Sequence, residues 1–516
     1  MSIKFSKKNI LAAIFCFSLI FTSYAEEKSQ QTGNKAEEID FDAADAVVSD
    51  QLPPSANKDE KQALAEVADT VEEPVEEAAK PIIPENMQPF NSRKADLMEF
   101  LQTEPKKVVI NGTEVKLKSP KLVADFYRLE NYPTIWTQEN AVLPNINQLQ
   151  SLFDGVVEDA LNPNTYHAET IKFLQAGNEY QDIVQLEILA TDAWLSLNHH
   201  LENGLLNPKK IDKTWNAAQV DSVALARRLA EAFVAGDLVS PVKAINSADT
   251  RYQALKQRYL SATGAEADKI AINMERIRWL APDWYQHRYV LANIPAFEVK
   301  VVDNGADIYV SRSVVGKPAT PTPRFVNSIK HIVVAPKWTV PSSIMKEKKG
   351  RLMASPGSFD GGYEAVNAQG KVVRPSELDW GSAEAGSYKL RQKSGKSNSL
   401  GLVKILFPNP HAVYMHDTPS KGLFSNAYRA ASHGCVRLQK PFDLAALLLK
   451  DTNWDLEKLK TTAGKGQERW INPPNETPVY LVYWTIWPDT DGKIRTAKDL
   501  YKLDAEMIKA YKAALK

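Results

Sequence analysis

The chain has 516 residues, 44% of them hydrophobic and 24% charged, with 63 Lys and Arg against 63 Asp and Glu. That length and apolar content suffice for two or more ordinary domains and exclude a wholly disordered chain. Two cysteines, Cys16 and Cys435, exclude a disulfide-stapled scaffold, and the net charge of zero is unevenly spread, leaving a mildly basic body that is only a weak signal for an anionic polymer.

At the N-terminus Lys4, Lys7 and Lys8 precede an apolar run from Ile10 to Phe21, and "TSYA" follows, ending at Ala25. The run is too short to cross a bilayer as a helix. Basic, apolar and small-residue parts in that order read as a secretory signal, residues 1–25, cleaved after Ala25. The alternative is an uncleaved membrane anchor. Cleavage removes Cys16 and leaves Cys435 without an internal disulfide partner. From Glu26 to Glu85 there are 17 acidic and 5 basic residues and few aromatics. Residues 26–88 therefore read as a disordered acidic linker.

Folded sequence is expected from about Pro89. In "VVINGTEVKL" the pair Asn111-Gly112 lies between β-rich runs, a hairpin signal. Helical periodicity follows over 120–130, 146–160, 182–202 and 248–280, broken by "NPNTY" and "NGLLNP". Residues 89–282 read as a mostly helical scaffold domain. After Trp284 strands take over. The run 289–316 alternates and turns at Asp303–Gly305, and "HIVVAPKW", "LGLVKILF", "HAVYMH" and "TPVYLVYWTIW" are further strands. "KPFDLAALLLK" is a helix with Pro441 in its first turn, where a missing N–H costs nothing. Residues 283–516 read as a β-rich domain, which makes the chain α+β. Within it, residues from about 339 to 388 are rich in Gly, Ser and Lys and read as a long insertion, a lid.

Cys435 stands in "SHGCVRL". A cysteine nucleophile needs a thiolate, a base to generate it and donors for an oxyanion. The plain alternative is an inert buried thiol. Two histidines are candidate bases: His433, two residues before Cys435, and His416, nineteen before it. Strand alternation in "AVYMHDT" puts Tyr414 and His416 on one face and Val413 and Met415 on the other. Gly434 permits a tight turn, and the N–H groups of Gly434 and Cys435 are placed to face an oxyanion.

"HDTPSKGLFSNAYRAASHGCVRL" resembles the signature of the YkuD-type L,D-transpeptidases: a His, a spacer, then Ser/Thr-His-Gly-Cys. The spacer here is the 15 residues from Asp417 to Ala431. "VGKPATPTPRF", "VVAPKWTVPSSI", "NSLGLVKILFPN" and "PVYLVYWTIWPDTDG" resemble blocks of the large Gram-negative murein enzymes of the YcbB type. "FYRLENYPTIWT", "DGVVEDALNPNTYH" and "ATDAWLSLNHHLENGLLNP" resemble that subgroup's helical scaffold. The likeness covers most of the chain from Phe126. One module of the subgroup is missing: residues 249–266 are too few for its three-helix peptidoglycan-binding domain.

The resemblance implies roles. Cys435 is the nucleophile and His416 its base, oriented by a backbone carbonyl near Asp417. His433, Gly434, Ser432 and Asp417 support the site or its oxyanion hole. Arg437, Tyr414 and Trp338 are candidate substrate contacts, each with an internal packing or ion-pair role as the alternative. The implied reaction joins two peptidoglycan stems. A tetrapeptide donor acylates the cysteine and loses D-Ala, and the diaminopimelate amine of an acceptor stem completes a 3→3 cross-link. Implied partners are those stems, with peptidoglycan synthases or carboxypeptidases as protein partners and no nucleic acid. The implied location is the periplasm, and carbapenems are expected to acylate the cysteine. A stem hydrolase such as an L,D-carboxypeptidase, and a non-catalytic wall-binding scaffold, are the alternatives. His199 and His200 are adjacent on a helix and diverge, and neither "HExxH" nor "CxxC" occurs, so no metal and no cofactor is expected.

Overall fold

In the computed structural model, residues 80–84, 94–102, 105–110, 112–176 and 180–516 are described. The expected signal, and the expected linker up to residue 79, lie outside them. The end of that linker does not behave as a tether. Ile83 is buried in the helical half, and the N–H groups of Ile82 and Ile83 donate to Glu130 Oε2 at 2.8 and 2.9 Å. Two isoleucines flanked by Pro81 and Pro84 are apolar and biased to extended backbone, so they pack as a short strap. Among the described residues no helix is long and apolar enough to cross a membrane.

The hairpin forms as expected, pairing Lys107–Ile110 with Thr113–Lys116 across Gly112, whose φ of 74° a side chain would resist. The helices Pro120–Leu129, Asn145–Gly155 and Ser222–Ala235 pack around the 24-residue helix Tyr180–Asn203. That helix carries Glu187 into the core, where its carboxylate accepts from Ile135 N, Trp136 N and Thr137 Oγ1 at 2.8–3.0 Å. The single helical stretch expected over 248–280 is two helices, Thr250–Ser261 and Gly264–Arg278. They are broken at Ala262, whose extended backbone ends the first, and at Gly264 with φ 57°.

The helix Gly264–Arg278 does not close off the scaffold. Its Ile270, Met274 and Ile277 share a core with Tyr289, Trp484 and, from the C-terminal helix Asp504–Ala514, Met507 and Tyr511. Arg278, fully buried, donates to the Tyr252 hydroxyl and to the Asp159 carbonyl and pairs with Glu275. Helical and β-rich parts are thus welded by a common core on both sides of the expected boundary at 282.

The β-rich part is an 11-stranded mixed sheet. Its strands are β1 Tyr289–Asn293, β2 Glu298–Asp303, β3 Ala306–Gly316, β4 Phe325–Ile329, β5 His331–Val334, β6 Val403–Leu406, β7 Met415–His416, β8 Ala430–Ser432, β9 Val436–Leu438, β10 Arg469–Ile471 and β11 Thr477–Val482. They lie in the order β10-β5-β6-β7-β9-β3-β2-β1-β11-β4, with β8 beside β3. Sequence neighbours β4 and β5 fall near opposite ends of this path, and Phe325 touches Phe407 across the core, so the sheet curls on itself. The helix Pro441–Leu448 packs Leu444 and Leu448 into that core.

The insertion has its own architecture. Trp338–Thr339, Tyr388–Gln392, Tyr363–Asn367 and Val372–Val373 form a four-stranded antiparallel sheet, joined by the helix Ser342–Ala354. Its half-buried Glu364 pairs with Lys337 and Arg391 at 2.9 and 2.7 Å. The sequence showed no long apolar run here because the core is small: Leu352, Ala365 and Leu390 are its fully buried residues among those described.

Candidate active site

Parallel strands β7 and β9 lie side by side, with Met415 opposite Val436 and His416 opposite Arg437. Val413, Met415, Val436 and Leu438 go into the core. Alternation then turns Tyr414, His416 and Arg437 to the other face. Lys404 of β6, the register partner of His416, joins them. The Tyr414 and His416 rings meet edge to face at 5.7 Å, and Lys404 Nζ sits 4.1 Å above the Tyr414 ring. Cys435 immediately precedes β9. The Val436 N–H donates to the Tyr414 carbonyl at 3.1 Å, and Cys435 Sγ lies 4.0 Å from the Ala412 carbonyl. Cys435 is a thiol rather than a half-cystine and is 2% exposed.

His416 Nδ1 is hydrogen-bonded to the Asp417 main-chain carbonyl. A carbonyl can only accept, so Nδ1 carries the proton and the basic nitrogen of the neutral ring is Nε2. The Asp417 side chain serves elsewhere. Oδ2 accepts the Leu402 N–H at 2.9 Å, and Oδ1 pairs with Lys421. A Cβ at Gly401, where φ is 60°, would overlap this carboxylate.

Ser432, wholly buried, staples the cysteine loop. Its Oγ accepts the Gly434 N–H at 3.1 Å and donates to the Cys435 carbonyl at 2.6 Å. Gly434 turns with φ 127°, and the space around a Cβ there is ordinary, so backbone conformation is what demands glycine. Of the two N–H groups expected to face an oxyanion, that of Gly434 is turned to Ser432 instead. The Ser432 hydroxyl points to the main chain, so both act on the shape of the loop. His433 Nε2 accepts from Lys317 Nζ at 3.2 Å, an arrangement that spends its lone pair on a cation. Arg437 is 7% exposed at the centre of β9, between His416 and Val314. Trp338 is buried in the edge strand of the insertion's sheet, where it pairs with Gln392. The fold thus gathers Cys435, His416, Tyr414, Arg437 and Ser432, and puts Trp338 in a different sheet.

Sequence reasoning missed the residues beneath the loop. Thr322 Oγ1 accepts the Gly316 N–H at 2.9 Å and donates to the Gly434 carbonyl at 2.8 Å. The Tyr501 hydroxyl donates to the Gly316 carbonyl at 2.7 Å and accepts the Thr322 N–H at 3.1 Å. Lys317 N–H and Thr320 Oγ1 both donate to the Ser432 carbonyl. Arg429 spreads its guanidinium over the Ser313, Asn426 and Phe297 carbonyls and so fixes the spacer. "VGKPATPTPRF" marked this segment, but a threonine acting through two main-chain groups has no spacing signature.

Comparison with known proteins agrees with this architecture. Residues 121–258 match the Scaffold domain family and residues 287–479 the YkuD L,D-transpeptidase catalytic domain. A protein of Haemophilus influenzae named "Putative L,D-transpeptidase" is 28% identical over 421 residues, spanning 78% of this chain and 84% of that one. A solved L,D-transpeptidase from Mycobacterium smegmatis is 17% identical, with 38% of this chain and 58% of that one covered and a TM-score of 0.18. The chain thus carries a YkuD L,D-transpeptidase catalytic domain set behind a scaffold domain.

Proposed function

We propose that this protein forms 3→3 cross-links between peptidoglycan stems through a Cys435 acyl-enzyme. The observation that carries the reading is the His416 tautomer. With Nδ1–H held by the Asp417 carbonyl, Nε2 is the basic nitrogen of the neutral ring, and His416 lies on the strand paired with the one that Cys435 immediately precedes. His416 Nε2 takes the thiol proton. The thiolate attacks the carbonyl at the L-centre of diaminopimelate in a tetrapeptide donor. The C–N bond to D-Ala breaks, and its nitrogen leaves with the proton from His416. The side-chain amine of an acceptor diaminopimelate then attacks the thioester, gives its proton to His416 and releases the thiolate. Water in the acceptor's place gives the L,D-carboxypeptidase reaction. The buried position of Cys435 and the inserted sheet favour the amine by limiting water.

The reading places the enzyme in the periplasm, exported by residues 1–25 and meeting peptidoglycan synthases or carboxypeptidases there. Mass spectrometry of the mature N-terminus should start at Glu26; a start at Met1 would leave the anchor reading. The chemistry is tested with meropenem and intact-protein mass spectrometry. Wild type should gain one adduct mapped to Cys435, and Cys435→Ala none. Equal labelling of both proteins would remove the assignment.

A further inference from the structure

A groove of about 670 Å³ opens beside the spacer that leads into Cys435. Its walls come from the turn between β1 and β2, from Ala427 and Tyr428 of the spacer, and from residues 487–500. Its size is that of a small-ligand site, typically about 300–1,000 Å³. Tyr428 at its edge is 58% exposed, the most exposed large apolar side chain among the described residues. A lone exposed aromatic is ordinary, so what marks this site is that Tyr428 is grouped with two further aromatics around one groove. Phe297 stands edge to face with Tyr428 at 5.9 Å, and Trp487 lines the same groove.

This wall is held in place. Phe297 has φ 55°, a left-handed conformation that a bulky residue adopts only when its surroundings impose it. The Arg429 guanidinium lies 5.2 Å above the Phe297 ring and donates to the Phe297 carbonyl at 3.0 Å. Apart from Lys498, which stands exposed in the wall, the charged side chains of the groove have partners within the protein. Glu298 and Asp489 both pair with Lys300, and Arg495 pairs with Asp489 and Asp491. Rigid aromatic faces edged by paired charges suit a neutral ring with an apolar face and polar edges. They suit a strongly anionic chain poorly.

We propose that this groove binds neutral polysaccharide, the glycan strand whose stem peptides reach Cys435; the choice of polymer rests on the function proposed above. Tyr428 lies seven residues before Cys435, so the two are at most roughly 24 Å apart along the chain. A strand seated here keeps its stems within reach of the thiol. It also gives the catalytic domain its own hold on the polymer.

The test is titration of the full chain with the β-1,4-linked N-acetylglucosamine hexamer, read by tryptophan fluorescence and calorimetry. Saturable binding is expected. Tyr428→Ala and Trp487→Ala should each weaken it about five- to tenfold, and Tyr428→Phe less than about twofold, since stacking on the ring is the main contact. Tyr428 is exposed, so its variants test the idea even if Trp487→Ala misfolds. Cys435→Ala should bind as wild type does, which separates this outcome from the fate of the catalytic reading. No saturable binding, unchanged affinity in Tyr428→Ala, or displacement of the hexamer by a sugar-free tetrapeptide would each overturn the proposal.

Discussion

Two histidines flank the same cysteine loop, and their hydrogen bonds set them apart. His416 donates from Nδ1 to a carbonyl and keeps a basic Nε2, whereas His433 already accepts from Lys317. The rate of Cys435 alkylation by iodoacetamide against pH reads the difference. His416→Ala should slow the reaction near neutral pH by about 10²–10⁴, the usual worth of a positioned base. His433→Ala should slow it less than about tenfold. The reverse ranking would move the base to His433. The residues alone left His416 and His433 as rival bases for Cys435, and only the resemblance to the YkuD signature favoured His416. Ser432 and Gly434 were legible as positions but not as roles. Whether an N–H faces a substrate or a neighbouring hydroxyl depends on turn geometry, and no residue pattern encodes it.

At the scale of elements, β3 and the segment after it form the bed on which the cysteine loop rests. Thr322 joins Gly316 to Gly434, and Tyr501 joins Thr322 to Gly316 from beyond the catalytic domain's matched residues. Thr322→Val keeps the shape and removes both side-chain hydrogen bonds. Buried main-chain groups then lose partners, a cost of about 1–3 kcal/mol. Denaturant unfolding should show that loss, and meropenem acylation should slow because the loop is no longer pinned. Unchanged stability and acylation would contradict the buttress. In the scaffold, burial pushes the Glu187 carboxyl up from 4.5 to about 7. A carboxyl raised on folding favours the native state most when protonated. Its contribution is full below about pH 4.5 and is lost as pH rises through about 7. Relative to Glu187→Gln, wild type should therefore lose stability across that window, at up to about 1.4 kcal/mol per pH unit. Parallel stability profiles for the two proteins would contradict it. Neither element was visible beforehand. Helix periodicity placed Glu187 on a helix, but its partners at 135–137 lie fifty residues away.

Over the whole molecule, the α+β division was legible because strand alternation and helical periodicity segregate in sequence. The join between the halves was not. A core built from Tyr252, Met274, Trp484 and Tyr511 joins two consecutive scaffold helices to segments more than two hundred residues away, each of which alone reads as an ordinary apolar face. Ending the chain after Lys502 removes the helix that brings Met507 and Tyr511 to that core. At about 1.5–3 kcal/mol per large buried side chain, roughly 3–6 kcal/mol should be lost. Thermal unfolding should show a lower midpoint, and an unchanged one would mean that the halves stand independently. Scaffold, sheet and insertion are read here as one enzyme around Cys435. The most direct measurement incubates purified wild type and Cys435→Ala with disaccharide tetrapeptides and resolves the products by liquid chromatography and mass spectrometry. Wild type should yield 3→3 dimers and free D-Ala, and Cys435→Ala neither. Tripeptide monomers without dimers would make it an L,D-carboxypeptidase, and identical products from the two proteins would contradict the account outright.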